Sequence, residues 1–237
     1  MRTPWNLAAA LVLLAAVGCA SLQNVDLGDV VGDGGELDEA TVTAGLKEAL
    51  KVGSERTVVS TSAVDGFLGN ALIRIALPEQ LTSAASTLRS VGLGTYVDEL
   101  ETAMNRAAEQ AAGEARQILW DAVTAMTIAD AFAILRGHDT AATEYFRDRT
   151  AEVLRARFAP IVQQKTASVG LGRLYGQLTA AYENLPLTGK PELVDLDDYV
   201  TDEALDGLFT VLAQEEREIR RDPAARTTDL LRRVFGS

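Results

Sequence analysis

From residue 38 to the C-terminus, apolar side chains recur every three or four residues, and the positions between them are filled by Ala, Glu, Arg and Gln, which favour helix. The pattern predicts a first helix from about Asp38 to Val59, with Val42, Leu46, Leu50 and Val58 on or near one face. The period then breaks in "SAVDGFLGNALIRIALPEQL", where Ile73, Ile75 and Leu77 alternate with Arg74 and Ala76 up to Pro78. This short extended segment, near 71–77, is either a lone strand or an irregular crossing, and Pro78 suits the first position of the next helix. After Thr95, Val97, Leu100, Met104, Ala108 and Ala111 return to core spacing, and past Gly113 Ile118, Leu119, Ala122, Val123 and Met126 continue it as a long arm.

Punctuation divides the rest. Thr127 with Asp130 has the form of an N-cap, Gly137 that of a C′ glycine closing a short helix, and Asp139 that of the next cap. The helix that follows carries Ala142, Phe146, Thr150, Val153, Leu154 and Phe158, and Pro160 is expected to interrupt or kink it. Further helices are expected at about 161–169, 173–185, 201–221 and 224–235. Nothing reads as a sheet, so the predicted fold is all-α, a single multi-helix domain of about eight or nine helices with at most one short extended segment.

The first 37 residues have a different character. Arg2 precedes an apolar run from Leu7 to Val17, shorter than the ~20 residues a spanning helix requires, which is the anatomy of a signal peptide. The run ends in Ala16-Val17-Gly18-Cys19, which resembles a bacterial lipobox. In that reading residues 1–18 are removed and Cys19, the only cysteine, carries acyl chains that hold the protein on a membrane. Residues 19–37, with "ASLQNVDLGDVVGDGGEL" after the cysteine, then form anchor and tether. Asp26, Asp29 and Asp33 lack the alternating ligands of a calcium loop. Ala20 directly after Cys19 favours the outer membrane over the inner, with the domain facing the periplasm.

Cleavage there leaves 219 of the 237 residues and, with Arg2 gone, moves the formal net charge from −12 to −13. An acidic surface of this kind argues against nucleic acid and anionic lipid headgroups, since both require clustered Lys and Arg. With the single thiol acylated, stability must come from packing without a disulfide.

Candidate chemistry is sparse. "SVGLG" occurs at 90–94 and again at 168–172 between helical patterns. It lacks the strand and third glycine of a dinucleotide fingerprint, and Gly92 and Gly170 read as Schellman-type stops. His138, the sole histidine, has no G-x-S-x-G serine and no co-ligands for zinc. No metal and no cofactor is expected. Asp195, Asp197 and Asp198 in "DLDDY" offer paired acids, but at a helix mouth they read better as partners of the positive dipole end. "EEREIRR" reads mostly as a solvated face, with Glu216 and Arg220 at helix-pair spacing.

Polar residues at core positions are the best site candidates. Asn105 and Glu109 share a helix face in an Ala-rich stretch with Arg106 adjacent, and Arg226, Thr227, Thr228 and Asp229 crowd the first turns of a helix signalled by Asp222 and Pro223. These seven are read either as a polar pocket, in which Arg106 or Arg226 takes an anion or a partner's carboxylate, or as an inter-helix network that fixes packing.

The segments "GLKEALKVGSERTV", "DGFLGNALIRIALPEQL", "VGLGTYVDELETAMNRAAEQA", "AATEYFRDRT", "ALDGLFTVLAQEEREIR" and "DPAARTTDLLRRVFG" resemble, in order, those of a bacterial envelope family, domain of unknown function 4197 (DUF4197), over about residues 38–236. The resemblance implies a predominantly helical envelope domain and brings no reaction, cofactor or partner. Three functions are therefore weighed: a lipid-anchored module binding an envelope protein, a carrier of an apolar or amphipathic small molecule, and an enzyme using Asp, Glu and Arg without histidine.

Overall fold

A computed structural model describes residues 38–168, 170–184 and 194–221. Cys19, the signal and tether segments, the expected helix 224–235, and with it Arg226, Thr227, Thr228 and Asp229, lie outside the described residues. The described residues form eight helices and no strand: α1 (Glu39–Ser62), α2 (Glu79–Ser90), α3 (Gly94–Ala112), α4 (Ala115–Ala125), α5 (Ile128–Arg136), α6 (Ala141–Ser168), α7 (Leu171–Glu183) and α8 (Leu196–Arg221). The all-α expectation holds.

The architecture follows from which faces are apolar. The long helices α6 and α8 pack on each other, and α3 lies against both while also meeting α1, α2 and α7. Such crowding requires small side chains, and α3 supplies buried Ala103, Ala107, Ala108, Ala111 and Ala112. α1 approaches α8 through Gly53, whose added Cβ would meet Ile219 at 3.4 Å. Its buried Ser54, Thr57 and Thr61 hydroxyls donate to carbonyls one turn back, so they bury no unpaired group. Phe67, Phe146, Phe158 and Phe209 are fully buried and, with leucines from most of the helices, fill the core.

Helix ends follow local chemistry in several places. Asp38 accepts from the Thr41 amide and caps α1. Thr127 and Asp130 form a reciprocal capping box at α5. After α2, Gly92 adopts φ +81° while its amide donates to Arg89 and that of Leu93 donates to Leu88, the hydrogen-bond pair of a Schellman stop. Gly170 takes the same hand at φ +71°. Asp195 accepts from the Asp197 and Asp198 amides at the start of α8, so "DLDDY" is the helix's cap and first turn, five residues earlier than the predicted start.

Four local expectations are corrected. Pro78 is the N-cap of α2 and not its first helical residue. Pro160 does not divide α6, which runs unbroken to Ser168. The proline is exposed, whereas Leu154, Phe158 and Val162 are fully buried on either side, and their packing outweighs one lost solvent-side hydrogen bond. Gly137 is extended, at φ −78°, and not left-handed. It is required for space, because a Cβ there would lie 2.5 Å from the Ala141 Cβ. Asp139 does not cap α6; its carboxylate pairs with Arg221.

Candidate functional site

The segment between α1 and α2 is the irregular crossing of the two alternatives, and it enters the core. After Ser62 the chain reverses through Asp65, the one non-glycine residue with positive φ (+67°) among the described residues. It continues through Gly66, where a Cβ would strike the Ser60 and Thr61 carbonyl oxygens at 2.3 and 2.6 Å. Phe67 then inserts against α8 at Gly207, a position at which any Cβ would come within 2.5 Å of the ring. Ile73 and Ile75 are buried beyond it, and residues 74–78 belong to no helix or strand.

A segment that enters a core outside helix and sheet must still satisfy its backbone. Side chains of α3 supply the partners. Asn105, fully buried, accepts from the Ile75 amide (2.9 Å) and donates to the Ile75 carbonyl (2.8 Å) and to Glu101 of its own helix (2.7 Å). Its carboxamide thus acts as a one-residue strand. One turn on, Glu109 Oε1 accepts from the Phe67 and Leu68 amides at 3.2 and 3.3 Å, and its Oε2 accepts from Arg106 Nη1 at 2.7 Å. The other arm of Arg106 pairs with Asp65 Oδ1 at 2.7 Å, and the two carboxylates, Glu109 first, hold the guanidinium pKa above its usual range. Tyr199 of α8 closes the far end, donating to the Ala76 carbonyl at 3.0 Å; burial pushes its hydroxyl up to about 12, so it stays a donor.

The structure therefore brings Asn105, Arg106 and Glu109 together, and all three face their own chain. Arg106 alone reaches the surface. It borders an open groove of about 500 Å³ between α3 and α7, with Thr102 and Arg173, and an adjoining one of about 380 Å³ with Val64 and Lys165. A third groove, about 440 Å³, lies beside Tyr175, Leu171 and Asp197, where Thr166 donates to Asp197 at 2.6 Å.

A second buried polar junction was not expected, because "EEREIRR" reads as a solvated face. Glu216 is only 7% exposed. Its carboxylate accepts from the Ala142 and Thr143 amides and the Thr143 hydroxyl, each at 2.9 Å, and so caps α6 from α8. Arg220 donates to Glu216 at 2.8 Å and to the Ile134 carbonyl at 2.9 Å, at the end of α5. Anion meets helix start and cation meets helix end, as the two helix dipoles favour. The sequence signal was present in spacing: Glu216 lies four residues after Leu212 and three before Ile219, inside the apolar stripe of α8.

Among the described residues no group of His, Cys, Asp and Glu is placed to hold a metal ion. His138 is exposed, with Nδ1 3.1 Å from the Thr140 hydroxyl and Nε2 3.0 Å from Glu144.

The residues that build both junctions fall in the stretch that matches a family defined by sequence: DUF4197, described as a protein of unknown function, matches residues 36–236. The chain belongs to the DUF4197 family. No curated protein and no solved structure matches it. In this DUF4197 chain, two of the segments quoted above for the resemblance build the first junction: "DGFLGNALIRIALPEQL" is the buried crossing, and "VGLGTYVDELETAMNRAAEQA" supplies Asn105, Arg106 and Glu109.

Proposed function

We propose that this chain is a lipid-anchored helical module of the cell envelope that faces the periplasm, most readily from the outer membrane, and holds a protein partner there. The observation that carries the reading is the inward use of the polar core: Asn105, Glu109 and Glu216 are each engaged by backbone groups of their own chain. Residues so engaged make a rigid body and leave recognition to its surface. The grooves beside Arg106, Arg173 and Tyr175 are open shelves suited to a partner's side chains. The apolar pocket between α1, α5, α6 and α8 measures only about 20 Å³, room for one water, which gives the carrier reading no chamber there. The lipobox-like Ala16-Val17-Gly18-Cys19 supports the anchor.

The test is a photo-crosslinking residue in place of Thr102, in the α3–α7 groove, in full-length protein expressed in its own envelope. A discrete crosslinked species that disappears when the probe is moved to an exposed position outside the grooves supports the module. Exclusive recovery of the uncrosslinked chain from every groove position contradicts it.

A further inference from the structure

Residues 118–135, "ILWDAVTAMTIADAFAIL", contain two charged side chains, Asp121 and Asp130. Among the described residues no single helix is long and apolar enough to cross a membrane, and α4 and α5 reach that hydropathy only together, bent by 104°. Part of the run is core: Leu119, Val123, Met126, Ala131 and Ile134 are buried. The rest forms an outward corner. Thr124, Ala125, Thr127, Ala129 and Ala133 are exposed, Ile128 is 48% exposed, and Trp120 and Phe132 are half-buried.

Both acids of the run are hydrogen-bonded within the chain. Asp130 accepts from the Thr127 amide and hydroxyl in the capping box, and Asp121 accepts from Gln117 and lines the groove with Tyr145 and Arg149. Cations border the same edge. Lys47 donates to the Thr124 carbonyl at 3.1 Å, and Arg116 pairs with Glu55 at 2.9 Å. These two contacts set α1 antiparallel to α4, and Lys51 lies midway between Lys47 and Glu55 along α1. The Arg136 guanidinium lies 5.3 Å over the Phe132 ring and has no carboxylate partner among the described residues. Trp120 Nε1 is itself buried and has no acceptor among the described residues, so only the rest of the half-buried indole reaches this edge.

We propose that the α4–α5 corner is a membrane-contact face, with Trp120, Ile128 and Phe132 seated in the headgroup region of an anionic bilayer and Lys47, Lys51 and Arg136 meeting its phosphates. This rests on the Cys19 anchor proposed above. The eighteen residues 20–37 reach at most ~3.3–3.6 Å each, so an acylated Cys19 keeps Asp38 within roughly 60 Å of the bilayer. Asp38 leads into α1, and Lys47, which touches the corner, is nine residues further, roughly 14 Å of helix rise. The chain therefore enters the domain beside this face. Charge reinforces the orientation: an acidic domain turns its bulk from an anionic surface and its cationic edge toward it. Half-buried aromatic rings such as Trp120 and Phe132 suit that boundary.

The test uses the full-length protein from its own envelope in a Trp5→Phe background, which makes Trp120 the only tryptophan. It is combined with phosphatidylethanolamine–phosphatidylglycerol vesicles carrying spin-labelled acyl chains, and its intact mass is recorded. The expected result is a blue-shifted emission that loses most of its intensity, most strongly to labels near the headgroups. Ile128→Asp should abolish the quenching while the acylated protein stays on the vesicles. Acylated, vesicle-bound protein whose Trp120 emits unquenched overturns the corner while the anchor stands, and makes this edge a face for protein. If the mass shows no acyl groups, the anchor fails separately; quenching on vesicle addition then still supports the corner, and its absence overturns it.

Discussion

Glu216 accepts the backbone amide of Ala142 at 2.9 Å, across 74 residues of sequence, and so caps the helix that Asp139 would be expected to cap. The carboxylate is buried with Arg220 as its counter-charge. Removing it leaves the amides at the start of α6 without their acceptor and takes from Arg220 its Glu216 carboxylate, while the bond to the Ile134 carbonyl remains. Glu216→Ala is expected to destabilise the domain by about 3 kcal/mol in urea melts, within the range for breaking a buried pair. Glu216→Gln, which keeps one carbonyl for the amides, should cost clearly less.

Asn105 serves the Ile75 peptide as both donor and acceptor. Leucine matches its size but satisfies neither group, and aspartate cannot donate to the carbonyl. Asn105→Leu should cost about 2–4 kcal/mol, for two buried backbone groups left unpaired at ~1–3 kcal/mol each, with partial relaxation. Hydrogen exchange localises the effect: the Ile75 amide should lose protection ahead of the α6–α8 core.

Gly207 gives Phe67 its seat on α8. Gly207→Ala places a methyl 2.5 Å from the ring and should destabilise by about 1–3 kcal/mol, the usual cost of overpacking. Adding Phe67→Leu should recover part of that loss. A Gly207→Ala variant as stable as the parent would show that the crossing segment is not locked against α8.

Glu215 supplies the pH dependence. Burial raises its carboxyl above the usual range, the Glu218 charge adds to the shift, and Arg56, 3.7 Å away, opposes it. A raised folded-state pKa means the native protein binds the proton more readily than the unfolded chain. The group therefore costs stability as pH rises through its folded pKa, and the cost is relieved as pH falls toward the unfolded value. Glu215→Gln is expected to stabilise the protein at about pH 7 and to make no difference below about pH 4, where both states are protonated.

How much of this could be read from sequence depends on distance along the chain. Thr127 with Asp130 and Gly92 with Leu93 act on their own turns, so cap and stop were legible. Asn105 and Glu109 were recognisable as polar residues at core spacing, but their partners lie 30 and 42 residues away, and no local pattern pairs them with Ile75 and Phe67. Glu216 was hidden by its neighbours, since a run of charges reads as solvent-facing whichever member turns inward. Pro160 misled for the opposite reason: its local effect is real, and packing through Phe158 and Val162 overrides it.

The proposed rigid helical body held on a membrane through Cys19 is tested by the intact mass of the protein extracted from its own envelope. The predicted result is a chain beginning at Cys19 and heavier by its acyl groups. A chain that retains residues 1–18, or one that begins elsewhere and carries no acyl mass, would contradict it.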